Sequence, residues 1–377
     1  SRILNNGVGL TSLKNHAPRR DGWQPTAIFQ GKVTTLAGPL LPGDGDRPMY
    51  SQLYVFDASL ETTTRFNNLA IPQNTSEQEK VIIREVLEII QNVLHEVNPF
   101  IHDFKQIIDM NDDEIGNGKI IISAKAPTGE HARRFNAQTN LKEVAILTDS
   151  QPHDLVLHKR DGGLQTVSDL NSKGMPLHFT LLFPYGTPGY DLEATQADDR
   201  KRVTPRQYFT FHVNIRDGEN QNYLHYGCRL FQEWLCMAWF LIENQRLEYL
   251  RQNQKALRAD TYKNVQEIAQ QRHRELAPRA DGLYPDDHQR PSIGRKILPS
   301  SFTGGPRYMN AKFQDAMAIV RENHKPDFFI TMTTNPKWPE IIQHLLDGQE
   351  AQDRPDIVAR VFHLKKSQLM KDLTVGG

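Results

Sequence analysis

Residues 230–247 limit what this chain can fold into more than any other stretch, because their apolar positions recur at the spacing of one helix face. Leu230, Trp234, Leu235, Ala238, Leu241, Ile242 and Leu247 trace that face, while Gln232, Glu233, Glu243 and Arg246 lie largely off it. Such a stripe has to be buried, so the fold must supply a core around a long amphipathic helix. Thr204-Pro205, a cap followed by a first-turn proline, opens a further helix ahead of it. The two cysteines, Cys228 and Cys236, read as part of the same helix, where eight residues separate them by about 12 Å. A disulfide needs Cα atoms within about 7 Å, so the pair reads as two small hydrophobes of a reducing compartment.

At 377 residues the chain exceeds what one core usually organises, and several packing units are expected. Residues 1–75, rich in Gly and Pro, predict a β-rich lobe with strands at 27–29 and 52–56 and a turn at 42–46. Residues 76–160 predict an α+β unit. There Ser76 and Glu79 form a capping box, Val81, Val86, Leu87, Ile90 and Leu94 follow helical spacing up to Pro99, and a shorter helix through Phe104 and Ile107 comes next. Strands are expected at 119–122, 144–147 and 155–157. Residues 161–276 form a helical region, preceded within it by a buried strand and turn at 177–186. Residues 277–297 read as a polar linker, whose Asp286-Asp287-His288 is no metal site. Residues 298–377 predict helices from about Arg307, Trp338 and Pro355 around a strand at 327–333.

The 45 basic and 45 acidic residues cancel, so binding to nucleic acid requires locally clustered charge. Arg251, Lys255 and Arg258 fall in a basic helical run that also holds Glu248 and Asp260, and it reads either as a solvated face or as a phosphate-contacting one. Standard catalytic patterns are absent. Neither Gly31-Lys32 nor Gly118-Lys119 continues into a P-loop, no two of the fourteen histidines are two residues apart, and no zinc-type spacing occurs. Tyr50 and Tyr54 share one side of a strand and read as structural, and Tyr223 and Tyr226 open the apolar helix as packing residues. No apolar run reaches the roughly 20 residues of a membrane span, and the start, Ser1-Arg2-Ile3-Leu4-Asn5, has no apolar core of a signal peptide and no Met. An intracellular fragment of a longer reading frame is expected.

Three segments in order, LLFPYGTPGY (181–190), the helical block 222–262, and LPSSFTGGPRYM (298–309) with the following 313–341, resemble the Helitron-like N region. The resemblance is densest over residues 154–373. It implies a nuclear rolling-circle transposase that joins an HUH endonuclease to a helicase and uses a divalent metal and ATP. Residues 328–340 resemble the first Rep motif, departing from it at Met332 and Thr334, so the C-terminal part is expected to begin an incomplete HUH-type sheet with flanking helices. The catalytic His-x-His and tyrosine motifs would lie beyond residue 377, and no catalytic or metal-binding residue carries over.

The resulting expectation is an α+β chain that holds single-stranded DNA for nuclease and helicase domains of the same polypeptide. Asn335, Lys337 and Trp338, at the end of the expected strand, are candidates for DNA contact, with Trp338 as a junction plug and Asn335-Pro336 as a helix cap on the other reading. Arg307 and Tyr308 follow a Gly304-Gly305-Pro306 turn that lets a backbone approach phosphate, or simply starts a helix. A truncated, non-catalytic element-derived remnant and a protein-interaction scaffold built on the long helices of 222–276 remain alternatives.

Overall fold

The computed structural model describes residues 1–14, 34–37, 47–55, 61–106, 119–122, 155–158, 165–167, 172–191, 201–216, 222–254 and 297–375. They divide into two units, one made of residues 1–241 with 334–377, the other of residues 242–333.

In the first unit, α1 (Arg2–Val8) leads to β1 (Ser12–Lys14) and β2 (Thr34–Ala37), and then to α2 (Gln52–Val55) and α3 (Glu61–Asn68). Next come α4 (Glu77–Val97) and α5 (Pro99–Gln106), then β3 (Lys119–Ile122), β4 (Leu155–His158), β5 (Gln165–Val167) and α6 (Gly174–His178). α7 (Pro205–Val213), a 3-10 turn (Tyr223–Gly227) and the long α8 (Arg229–Gln252) complete its first stretch. β1, β2 and β5 form one antiparallel sheet and β3 pairs β4 in another.

Strand among the described residues is thus confined to five pieces of three or four residues, and the fold is mainly helical rather than α+β. The expected β-rich lobe at 1–75 is overturned by α1, α2 and α3. The Gln52–Val55 segment is a helix because Tyr54 turns inward there and donates its hydroxyl to the Val8 carbonyl (2.7 Å). Four residues are too few for periodicity to tell helix from strand. The expected strands and turn at 27–29, 42–46 and 144–147 lie outside the described residues, whereas those at 119–122 and 155–157 are β3 and β4. The buried strand foreseen near residue 177 is instead α6 and a following turn, in which the N–H of Leu182 and of Phe183 both bond the Phe179 carbonyl (2.9 and 3.0 Å). Hydrophobicity there signalled burial and not extension: Leu177, Phe179, Leu182 and Phe183 are all inside.

α4 begins at the capping box, with Ser76 N donating to the Glu79 carboxylate (2.8 Å) and Ser76 Oγ accepting from Glu79 N (3.3 Å). Its inner face, Ile83, Leu87, Ile90 and Leu94, packs on Val8, Leu10, Tyr54, Leu69, Phe100, Ile101 and Leu177. Asn5 binds α1 to the turn after α6, donating to the His178 carbonyl (2.9 Å) and accepting from Leu181 N (3.2 Å).

A charged cluster sits inside this core. Arg65, fully buried, donates Nε and Nη2 to Glu61 Oε1 (3.1 and 2.8 Å) and Nη1 to the Gly7 carbonyl (2.6 Å), with its Cζ 3.9 Å from the centre of the Tyr54 ring. His95 from α4 meets the same Glu61 oxygen at 3.1 Å. Burial pushes the Glu61 carboxyl up, but His95 and Arg65 outweigh it and leave it below the usual carboxylate range. Burial also pushes Tyr54 up to about 12.

The C-terminal stretch returns to the first unit as α10 (Pro339–Ile342) and α11 (Pro355–Val375), packed through Ile341, Ile357 and Val361. The second unit holds the end of α8 and α9 (Pro306–Asn323). Gln254 clasps the backbone of Ile297 with two bonds, donating at 2.9 Å and accepting at 2.7 Å. None of the residues of α9 is buried. The expected strand at 327–333 forms no ladder, and Phe328 and Phe329 are 85% and 92% exposed, so the structure does not contain the start of an HUH-type sheet.

Two outcomes are expected. Arg65→Met strands the buried Glu61 charge and should cost about 3–5 kcal/mol in urea unfolding, while the double change Glu61→Met/Arg65→Met recovers most of it. His178 is pushed down to about 4 by burial, against its carbonyl bond to Thr11. Its folded value lies below the unfolded value of about 6.5, so between the two the unfolded chain binds the extra proton. Stability should therefore hold above pH 6.5 and fall as pH drops toward 4, with a weaker slope in His178→Gln, read from urea midpoints across pH.

Candidate nucleic-acid interface

The residues expected to contact DNA fall in different places. Arg307 and Tyr308 begin α9, half-exposed, after a turn in which Gly304 adopts φ +78° with open space around it. Gly305 caps the helix and Pro306 leads it, so the helix-start reading of this motif is realised. Both side chains nonetheless stay accessible, with Lys312 Nζ 6.0 Å from the Tyr308 ring centre. Arg251, on the exposed side of α8, pairs with Glu248 at 3.3 Å, as the solvated-face reading requires. Lys255 and Arg258 lie outside the described residues, as does Asp286-Asp287-His288.

Asn335, Lys337 and Trp338 belong to the first unit. Asn335 Oδ1 accepts from Lys337 N (2.9 Å), closing a side-chain turn that leads into α10, and Asn335 and Lys337 are exposed. Trp338 is half-buried, packs on the cluster of Ile341, Ile357 and Val361, and lies 5.8 Å beneath Lys365 Nζ. It plugs a junction between helices, α10 and α11, where a sheet-to-helix junction was expected. Lys365 also bonds Glu340 at 2.5 Å.

Sequence reasoning missed the surface around Tyr223 and Tyr226. These were expected as packing residues of one long helix with Cys228. Instead Cys228 takes φ +50° and separates α8 from the 3-10 turn. Leu224 and His225 go inside, whereas Tyr223 and Tyr226 are 51% and 52% exposed. Residues three apart on a 3-10 helix eclipse one another, so both rings stand on one side.

The turn is fixed from both sides. Asn222 caps it through Leu224 N (3.1 Å) and donates to the His212 carbonyl at the end of α7. From the other side, Gln349 donates to the His225 carbonyl (2.7 Å), and Arg354 makes two bonds to a buried Asp356 (3.0 and 2.9 Å) that lies 3.9 Å from His225 Nε2. Burial and Arg354 push His225 down, so it sits there neutral. Arg229 adds an ion pair to Asp353 at 3.6 Å.

α7 carries the neighbouring aromatic groups. It starts at a capping box of Thr204 and Gln207. Phe209 turns inward against Trp234 (5.6 Å), and Phe231 stacks on the same indole (6.1 Å, 16°). On its outer side Tyr208 lies 4.4 Å from His212 and 5.9 Å from Tyr190, and Phe211 is covered by the Arg216 guanidinium at 4.0 Å.

Among the described residues no group of three or more His, Cys, Asp and Glu could hold a metal ion, so the divalent ion implied by the family resemblance finds no fitting donor set there. Among them no helix is long and apolar enough to cross a membrane. Residues 208–377, a little under half of the chain, match the family profile described as "Helitron helicase-like domain at N-terminus". Neither the curated proteins nor the solved structures yield a significant match.

Trp338→Ala should destabilise the chain by about 2–3 kcal/mol, below the 3–5 typical of a fully buried aromatic. Lys337→Ala, beside it but exposed, should change stability by less than about 0.5 kcal/mol. Urea unfolding of the two variants checks the assignment of one as packing and the other as surface.

Proposed function

We propose that this chain, whose residues 208–377 match the Helitron helicase-like N-terminal domain, binds single-stranded DNA and holds it for a nuclease and helicase of the transposition machinery. The match to the Helitron helicase-like domain carries this reading. It is supported by accessible cationic and polar groups at Arg307, Tyr308, Asn335 and Lys337, which suit phosphate and base contacts. Nuclear residence and rolling-circle chemistry belong to the same proposal. Trp338, largely engaged in packing, contributes by fixing the backbone of Asn335 and Lys337 rather than by stacking on a base.

One observation favours a second reading, an interaction scaffold. α9 leaves Met309, Phe313 and Ile319 exposed and buries nothing, and an amphipathic helix gains most of its stability from covering such a face. Self-association that persists at high salt, without DNA binding, would support the scaffold.

Fluorescence anisotropy with a labelled oligonucleotide tests the first reading. If about three phosphates are neutralised, affinity should fall roughly 20-fold between 50 and 200 mM salt. Arg307→Ala and Lys337→Ala should each weaken binding across all sequences and lower the salt slope by about one. Absence of binding at 50 mM salt, or affinity indifferent to salt, overturns the proposal.

A further inference from the structure

The surface of α7 and the 3-10 turn combines local positive charge with accessible aromatic rings. Over residues 201–216 there are four Lys and Arg residues and no Asp or Glu, in a protein whose charges cancel overall. Arg202 and Arg206 are exposed, and Arg216 lies flat on Phe211 while bonding its carbonyl (2.6 Å). Next to this basic stretch stand three accessible phenols. Tyr223 and Tyr226 project from the 3-10 turn, and Tyr185, 68% exposed, projects from the turn closed by Gly186.

The three segments are held together. Tyr208 Oη donates to the Pro188 carbonyl (3.3 Å) and Tyr190 Oη to the Val203 carbonyl (3.1 Å), joining the turn at 185–190 to α7. Asn222 joins α7 to the 3-10 turn. Gly186 takes φ +62°, and a Cβ there would meet Pro99 at 2.9 Å, so the turn presenting Tyr185 depends on glycine. Burial and the Tyr185 phenol push Tyr223 up, and burial and Tyr223 do the same to Tyr208, which places the Tyr223 hydroxyl within electrostatic reach of Tyr185 on one side and Tyr208 on the other. Among the described residues, nearby acidic groups are Asp191, beside Tyr190, and Asp353, which pairs with Arg229.

We infer that Tyr185, Tyr223 and Tyr226, with Arg202 and Arg206 on the adjoining α7 segment, form a ledge on which successive bases of single-stranded DNA stack while the arginines meet its phosphates. Aromatic faces accept any base and fixed cations follow the backbone, which is how sequence-tolerant single-strand binding works. A protein partner of the same area would meet an apolar centre with the charges at the rim, whereas here a guanidinium, that of Arg216, lies over an aromatic ring at 4.0 Å. The inference rests on the single-strand reading above and adds a further surface to it. Tyr185, Arg202 and Arg206 lie ahead of the stretch matched by the family profile.

The test uses the full chain and fluorescein-labelled oligo(dT) of 20 nucleotides at 50 mM salt. The triple variant Tyr185→Ala/Tyr223→Ala/Tyr226→Ala should bind roughly tenfold or more weakly, and the corresponding triple Tyr→Phe variant should stay within about threefold of wild type, because the ring does the stacking. Arg202→Ala/Arg206→Ala should weaken binding and flatten its salt dependence. Circular dichroism and urea midpoints identify variants that fail to fold, and the Tyr→Phe triple provides the comparison there. If wild type binds, and the folded Tyr→Ala triple binds as tightly while Arg307→Ala or Lys337→Ala does not, the ledge is wrong and the single-strand reading stands. No binding by wild type overturns both. Self-association lost in the Tyr→Ala triple, with oligo(dT) binding unchanged, makes the surface a protein interface and also overturns the inference.

Discussion

The first unit is organised around a buried charge. Arg65 has no solvent to satisfy it, so its five donors must be met by protein, and the groups that meet them come from different segments. Glu61 lies one turn earlier on α3, the Gly7 carbonyl lies on α1, the Tyr54 ring belongs to α2, and His95 on α4 shares the Glu61 carboxylate. An apolar core of the same size would tolerate sliding of one helix over another. A guanidinium bonded to Glu61 on its own helix and to Gly7 on α1, and lying over the Tyr54 ring of α2, does not, since each displacement leaves a charge unpaired in a medium that penalises it heavily. The packing of Leu87, Leu94, Phe100 and Ile101 supplies most of the burial, and Arg65 fixes where those helices sit.

The same arrangement recurs around His225. There the neutral imidazole, the Arg354–Asp356 pair and Gln349 hold a short 3-10 turn between α7 and α11. With Leu224 and His225 committed inward, Tyr223 and Tyr226 have only the solvent side left. Their exposure is therefore a consequence of what their neighbours bury, and the turn's geometry sets both rings on one side.

Much of the helical architecture was legible in the sequence, because caps are local. Ser76 with Glu79 announces α4 and Thr204-Pro205 announces α7, and the helix starts expected near Arg307, Trp338 and Pro355 are those of α9, α10 and α11. The strands β3 and β4 were legible from runs of Ile, Val and Leu. What failed were short apolar segments whose state depends on distant partners. Tyr54 is helical because Val8 and Arg65 receive it there, and the residues around Phe179 fold back through local carbonyl bonds although their hydrophobicity suits a strand equally well. Residues 327–333 show the converse, a strand-like composition with no ladder. Of the candidate site, the exposed Lys337 and the accessible Arg307 were foreseeable. The side of the chain on which Tyr223 and Tyr226 emerge was not, since the break at Cys228 depends on a left-handed residue that is not glycine, and nothing in the local sequence signals it.

The first unit is also discontinuous in sequence, with residues 242–333 inserted between its two stretches. Its closing bonds therefore reach far along the chain, from Ser1 to Gly227 and from Gln349 to His225. On the ribosome, about 130 residues of synthesis separate His225 from its partner Asp356, which at 5–20 residues per second is a delay of roughly 7–25 s. Throughout that interval the nascent 3-10 turn and the start of α8 are without the segment that covers them. Vectorial synthesis thus leaves this half of the molecule unfinished until Gln349, Arg354 and Asp356 emerge, and makes the nascent chain a client for whatever in the cell shields unfinished cores.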